Sequence, residues 1–182
     1  MDGQVVNICS SSENCINPLD LNPDYGEEDD PVALKADFIT SMMEVICAGK
    51  AGLQPAEKSV LDRCVRLIYQ EYLEDPRPQN IPVLTDLWNS LKRQETPEAN
   101  GMAAALEIYV TGSQNFFNKR TNVDIRNRLV CYNIKDLSKS SRKLGMLIVQ
   151  DQIWNRVIIN RAAGKATWYY MDEFHRATRS AA

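Results

Sequence analysis

Residues 166–173 read Ala166-Thr167-Trp168-Tyr169-Tyr170-Met171-Asp172-Glu173, an apolar and aromatic run that passes directly into two adjacent carboxylates. Such a run predicts a buried central β-strand that carries its last residues to the edge of a sheet. At that edge Asp172 can hold the water shell of a Mg²⁺ ion, and Glu173 can orient or deprotonate an attacking water. The alternative is a solvated turn after an edge strand, because many strands end in acidic residues.

A strand ending in two acids is typical of the Walker B element of P-loop enzymes that hydrolyse ATP. Those enzymes also need a GxxxxGK[ST] loop, whose backbone N–H groups and lysine cradle the phosphates. The sequence contains no such loop, since Gly49-Lys50 continues into Ala51 and Gly164-Lys165 continues into Ala166. The chain therefore carries a candidate Walker B element without the loop that binds the phosphates, which is half of a nucleotide site.

The composition of the 182 residues is that of an ordinary globular protein, with 44% hydrophobic and 25% charged residues. A formal charge of −3 argues against a protein that coats nucleic acid without sequence preference. No apolar run approaches the roughly 18 residues that span a bilayer, and we expect no signal peptide. The odd number of cysteines, with no CxxC pair, favours reduced thiols in a cytosolic protein.

Hydrophobic periodicity divides the remaining chain into strands and helices. Residues 3–8 and 128–134 predict two further strands, and residues 144–163 predict a long helix capped by Gly164. Between residues 30 and 110 the period changes to 3.6, which predicts four helices packed as a bundle. The first of these helices is expected to turn one apolar stripe to the core: Leu34, Phe38, Met42, Val45 and Ile46.

The order of these elements is strand, helical insertion, strand, helix, strand. It predicts a predominantly helical α/β fold, in which an all-helical bundle is inserted into a sheet of three parallel strands. We assign the chain to four parts: a first strand and loop (1–25), an inserted helical subdomain (26–112), a strand-helix-strand unit (113–175) and an atypical tail (176–182).

Four polar residues are further candidates for a site. Asn17 and Asp20 follow the first strand, and ligands of open α/β sheets bind outside the carboxyl ends of strands. A turn-forming role for Asn17-Pro18 is the alternative. Arg126 and Arg128 precede the second strand and could approach a phosphate of a neighbouring subunit, or form a structural salt bridge. The basic residues in 135–143, together with Lys119-Arg120, offer DNA contact, with a solvated loop as the alternative.

Several short motifs together resemble conjugative-transfer ATPases of the VirB4 class, which energise type IV secretion and DNA conjugation. The motifs are NPLD at 17–20, GLQPAEK at 52–58, NFFN at 115–118, RLVCYNIKDL at 128–137, QDQIW at 150–154 and YMDEFH at 170–175. The resemblance runs from about Gly3 to His175, and it is to the form carried by conjugative transposons and other mobile elements of Gram-positive gut bacteria.

The resemblance implies a RecA-like P-loop motor domain interrupted by an all-helical subdomain. It makes Asp172 the Walker B aspartate, which binds Mg²⁺ through water, and Glu173 the catalytic glutamate. It also implies ATP and Mg²⁺ as cofactors of the intact enzyme, a hexameric oligomer, and type IV secretion channel proteins as partners. The implied location is the cytoplasm, at the inner face of the membrane.

The sequence departs from the family pattern at both ends. The amino-terminal domain and the P-loop are missing, and the tail after His175 lacks the apolar helix and further strands of the family. This suggests a shortened segment, a misread frame or a gene remnant. We therefore expect a motor fragment that binds neither cofactor tightly and is inactive by itself. The alternative is a non-catalytic helical module for protein interaction or oligomerisation.

Overall fold

A computed structural model describes residues 3–21, 30–48, 51–124 and 127–172. Helices dominate these residues, and two short strands accompany them. The elements in chain order are β1 (Gln4–Asn7), α1 (Pro31–Met43) with a π-helical turn (Glu44–Ala48), α2 (Pro55–Glu74), α3 (Leu84–Lys92), α4 (Pro97–Val110), β2 (Val130–Asn133) and α5 (Lys139–Ala162). A short 3₁₀ turn at Pro78–Asn80 lies between α2 and α3, and another at Asn115–Phe117 lies between α4 and β2.

The two strands form a parallel pair, as the sequence predicts. Gln4 lies opposite Val130 and Asn7 lies opposite Asn133. Val6 is fully buried, whereas its neighbours Val5 and Asn7 are exposed, so one face of β1 packs on the core. The pairing brings together segments that stand on either side of the helical bundle in the sequence.

The bundle of α1 to α4 forms because each helix has a start signal and an apolar face. Asp30 caps α1 by accepting hydrogen bonds from the backbone N–H groups of Val32 and Ala33, and Thr96 caps α4 in the same way. Proline occupies the first turn of α1, α2 and α4, where its missing N–H costs nothing. One continuous core then runs through the bundle and under the sheet.

The buried face of α1 matches the predicted stripe in part. Its buried side chains are Val32, Lys35, Ala36, Ile39, Met42 and Met43. Met42 is buried as predicted and Phe38 and Ile46 pack partly buried against the core, whereas Leu34 and Val45 are exposed. The buried face includes Lys35, a charged residue that a search for apolar periodicity leaves out.

The third strand is absent from the described residues, so its prediction over residues 166–171 is wrong. Residues 165–171 have no regular secondary structure, and Trp168 and Tyr170 are 80% and 85% exposed. A strand needs a neighbour to bind its N–H and C=O groups, and no described strand lies beside this segment. The run therefore extends past α5 without joining the sheet.

Helix α5 begins five residues earlier than the predicted start at 144. Ser138 caps it by accepting from the N–H of Ser141, so Lys139, Arg142 and Lys143 belong to its first turns rather than to a loop. At the other end Gly164 has φ +66°, and its N–H donates to the carbonyl of Arg161. This left-handed residue ends the helix as predicted.

Candidate functional site

The carboxyl end of the parallel sheet is marked by two asparagines. Asn133 Nδ2 donates a 2.8 Å hydrogen bond to Asn7 Oδ1, and Asn133 Oδ1 accepts from the backbone N–H of Lys135. Ser12 turns the chain after β1 by donating to the carbonyl of Asn7 at 2.7 Å. The end of the sheet that carries ligands in open α/β folds therefore presents fixed amide groups beside the start of α5.

The 17–20 loop, which comprises residues 17–20 after β1, is held by its own asparagine. Asn17 Oδ1 accepts from the N–H of Leu19 at 3.0 Å, which makes the turn expected of an Asn-Pro pair. Asn17 Nδ2 donates at 2.8 Å to the carbonyl of Pro82, between α2 and α3. Asn17 is fully buried, so its amide is committed to these protein contacts.

Asp20, the last residue of the same loop, is hydrogen-bonded to Thr121. The hydroxyl of Thr121 donates to Asp20 Oδ2 at 2.5 Å and accepts from the backbone N–H of Asn17 at 2.7 Å. Burial raises the pKa of the Asp20 carboxyl above its ordinary 3.8, more than the Thr121 hydrogen bond and the charge of Lys35 lower it. The structure thus unites Asn17 and Asp20, which the sequence proposed as a pair, in one buried network.

The segment 118–122 supplies most of the remaining contacts to this network. Asn118 caps α3 by accepting from the N–H of Thr85, and its amide also donates to the Thr85 hydroxyl. Asn122 Oδ1 accepts from the N–H of Cys15 at 2.7 Å. Arg120 Nη1 donates to the carbonyls of Pro78 and Ile81, which ties this segment to the connection between α2 and α3.

A buried ion pair lies next to the 17–20 loop. Lys35 Nζ of α1 is 2.8 Å from Asp151 Oδ2 of α5, and their side chains are only 1% and 10% exposed. Asn155 Nδ2, one turn along α5, donates to the same carboxylate oxygen. The ammonium also lies 4.6 Å from the ring centroid of Phe38. Gln152, next in sequence to Asp151, buries an Nε2 group that has no hydrogen-bond partner within the described residues.

Asp172, the first of the two adjacent acids, does not lie at the end of a strand. Asp172 is exposed in a turn after the irregular run 165–171, and Glu173 lies outside the described residues. Within the part of the chain that is described, no group of three or more His, Cys, Asp or Glu side chains could hold a metal ion. The assignment of Asp172 and Glu173 to a Mg²⁺ site and a catalytic role stays a prediction.

Of the two arginine candidates, Arg128 does not join the 17–20 network. Arg128 is exposed and precedes β2, so it lies at the opposite end of the sheet from Asn7 and Asn133. Arg126 lies outside the described residues. Of the basic residues near the start of α5, Arg142 donates to the carbonyls of Lys135 and Leu137 and so ties down the turn after β2.

The fold matches a solved structure closely. The structure of VirB4 of Thermoanaerobacter pseudethanolicus aligns with 87% of this chain at a TM-score of 0.72 and 20% sequence identity. The chain has the fold of VirB4. The alignment covers 63% of the VirB4 chain, so the chain spans less than two thirds of that protein. Neither a protein-family model nor a curated protein matches the sequence.

The VirB4 fold confirms the resemblance drawn from the motifs at 17–20, 128–137 and 170–175. The structure also agrees with the coarser prediction of a mainly helical fold with parallel strands. Sequence reasoning missed the asparagine pair at the sheet end, although both strands end in Asn and that shared ending was visible. It also missed Thr121, whose contact with Asp20 spans 101 residues and leaves no local signal.

Proposed function

We propose that this chain is part of an ATP-hydrolysing motor of the VirB4 class that energises type IV secretion and conjugative DNA transfer. The observation that carries the proposal is the VirB4 fold over 87% of the chain. The sequence adds the Asp172-Glu173 pair after an apolar aromatic run, which is the composition of a Walker B element. The chain contributes the helical subdomain and the two parallel strands beside it.

In the intact motor, Asp172 binds Mg²⁺ through water and Glu173 activates the attacking water. The carboxyl ends of β1 and β2 face the nucleotide, as ligand sites do in open α/β sheets. The motor works as an oligomer beside the channel proteins, at the inner face of the membrane. Among the described residues, no helix is long and apolar enough to cross a bilayer.

The chain by itself does not turn over ATP, because it has no GxxxxGK[ST] loop to grip the phosphates. The purified chain and its Glu173→Gln variant are therefore expected to show the same background rate in a phosphate-release assay. ATP hydrolysis by the chain that disappears in the variant would contradict this part of the proposal.

A separate test, in the coding sequence on either side of this chain, asks whether the chain is part of a longer motor protein. We expect a P-loop upstream, and a helix with further strands downstream, in the same reading frame. A protein expressed from that longer frame should hydrolyse ATP, and Glu173→Gln should abolish the hydrolysis. Glu74→Gln, which removes an exposed carboxylate at the end of α2, is the matched control and should leave the rate unchanged.

A second candidate function is a helical module that binds another copy of itself. The exposed aromatic side chains favour it, because Trp154, Trp168 and Tyr170 are each more than 60% exposed. Both strands also have an unpaired edge within the described sheet. Light scattering at several concentrations tests this function, and association should weaken in a Trp168→Ser/Tyr170→Ser variant. A strict monomer at every concentration would count against it.

A further inference from the structure

The 118–122 strap comprises residues 118–122, which follow a 3₁₀ turn after α4 and belong to no helix or strand. Its first residue, Asn118, is bonded to the helical bundle. The side chain of Asn118 accepts from the N–H of Thr85 at 2.9 Å and donates to the carbonyl of Val110 at 3.2 Å. Thr85 lies in the first turn of α3, and Val110 is the last residue of α4. One amide therefore attaches the strap to the ends of two helices.

The middle of the strap is bonded to the connection between α2 and α3. Arg120 Nη1 donates to the carbonyls of Pro78 at 3.0 Å and Ile81 at 2.6 Å. The 17–20 loop binds the same connection, because Asn17 Nδ2 donates to the carbonyl of Pro82 at 2.8 Å. The strap and the loop therefore share one support in the helical bundle.

The last two residues of the strap are bonded to the chain that follows β1. The hydroxyl of Thr121 accepts from the N–H of Asn17 at 2.7 Å and donates to Asp20 at 2.5 Å. Asn122 Oδ1 accepts from the N–H of Cys15 at 2.7 Å, and the N–H of Asn122 donates to the carbonyl of Cys15 at 3.2 Å. Two adjacent strap residues thus hold residues 15–20 through hydrogen bonds that span more than 100 positions of sequence.

The residues that the strap holds are removed from water. Cys15, Ile16, Asn17 and Leu19 are each 5% exposed or less. Their backbone groups depend on protein partners, and a lost partner leaves a buried polar group unpaired. The strap is also short, since three residues of chain span at most about 10 Å. Asn118 therefore cannot shift far without displacing Thr121 and the loop bonded to it.

We propose that the 118–122 strap is a positioning segment that sets the place of residues 13–20, after β1, from the α2–α3 connection and the ends of α3 and α4. The bundle and the carboxyl end of the sheet keep a fixed relative position while the strap is bonded at both of its ends. Loss of the bonds on the bundle side releases the loop. This coupling uses only described residues and does not depend on the proposed ATPase.

Hydrogen–deuterium exchange of the full chain tests the proposal. Asn118→Ala removes the bonds to Thr85 and Val110 and leaves Thr121 and Asn122 unchanged. Peptides covering residues 13–20 should nevertheless exchange about tenfold faster, while peptides from the middle of α2 and from α5 keep the parent rate. Asn100→Ala, which removes an exposed asparagine side chain from α4, is the matched control and should leave the 13–20 peptides unchanged.

Parent rates for the 13–20 peptides in Asn118→Ala would overturn the proposal. The same acceleration in every peptide would also overturn it, because that result shows a general loss of stability rather than a link between two places.

A second pair of variants decides the question if Asn118→Ala does not fold. Arg120→Met removes the bonds from an exposed residue to the α2–α3 connection, so the core is untouched. Its 13–20 peptides should exchange several-fold faster than those of the parent. Lys119→Met removes the neighbouring exposed cation and should keep the parent rate. Equal exchange of the 13–20 peptides in Arg120→Met and Lys119→Met would show that the strap does not position the loop.

Discussion

The hydroxyl of Tyr69 donates a 2.6 Å hydrogen bond to the carbonyl oxygen of Leu19, and both residues are fully buried. The bond links the middle of α2 to the loop after β1, over 50 positions of sequence. Burial raises the pKa of this phenol well above its ordinary value of 10, so the group remains a donor at any physiological pH. One hydroxyl thus satisfies a backbone carbonyl that has been removed from water.

Tyr69→Phe should lower the free energy of unfolding by about 1–2 kcal/mol. The ring still fills its place, but the carbonyl of Leu19 stays buried without its donor. Urea unfolding followed by circular dichroism measures the loss. Tyr170→Phe removes the hydroxyl of a residue that is 85% exposed and should leave the midpoint unchanged. Equal midpoints for the parent and Tyr69→Phe would show that the bond adds nothing to stability.

Gln152→Met should raise the free energy of unfolding by about 1 kcal/mol. The Nε2 group of Gln152 is buried and finds no acceptor in the described part of the chain, so its removal ends a desolvation cost. The matched change on the same helix is Asn155→Leu, which should destabilise because Asn155 donates to the buried Asp151 carboxylate. A loss of stability in Gln152→Met would mean that its amide is bonded after all.

The stability of the chain should depend on pH through Asp20. Burial raises its pKa above 3.8, so the folded chain holds the proton more tightly than the unfolded chain. The contribution of Asp20 to stability therefore falls as pH rises from 3.8 through the folded value, and stays constant above it. Asp20→Asn cannot ionise, so its stability relative to the parent should improve across that window.

Urea unfolding of both proteins across the acid range up to neutral pH measures this difference. Asp37→Asn removes an exposed carboxylate from α1 and serves as the control for a general change in charge. A constant difference between Asp20→Asn and the parent at every pH would contradict the assignment of a raised pKa to this carboxyl.

Replacement of two helical glycines by alanine should change the free energy of unfolding in opposite directions. A Cβ on Gly145 of α5 would lie 2.3 Å from Leu137 Cδ1, in a fully packed region, so Gly145→Ala should cost about 1–2 kcal/mol. A Cβ on Gly101 of α4 meets nothing within 4 Å. Gly101→Ala should therefore stabilise by about 0.5–1 kcal/mol, through helix propensity alone. Thermal or urea unfolding of the two variants decides the sign of each effect.

Local patterns predicted most of the elements correctly. The apolar runs at 3–8 and 128–134 became β1 and β2, and the Asp30-Pro31 and Gly164 signals marked helix ends where they were expected. The predictions from these features are correct because capping and hydrophobic periodicity depend on residues only a few positions apart. The parallel pairing of the strands also followed from the order of elements along the chain.

The errors came from interactions that sequence spacing does not record. The buried face of α1 was predicted only in part, because it includes Lys35, which pairs with Asp151 over 116 residues of sequence. The run at 166–171 has strong β-propensity, but a strand also requires a paired neighbour, and none is described there. At the site, Asn17 and Asp20 were found from their place after β1, whereas Thr121 entered only through three-dimensional proximity.

The pairing of β1 with β2 has a consequence for synthesis on the ribosome. Asn7 and Asn133 are partners 126 residues apart, so β1 is made long before its mate. At a synthesis rate of about 5–20 residues per second, the backbone N–H and C=O groups of β1 stay without this parallel partner for roughly 6–25 s. During that time the four helices of the bundle can form from nearby contacts. Until β2 has been made, the nascent chain exposes β1 without its described partner, which makes this strand a natural point of capture for a chaperone.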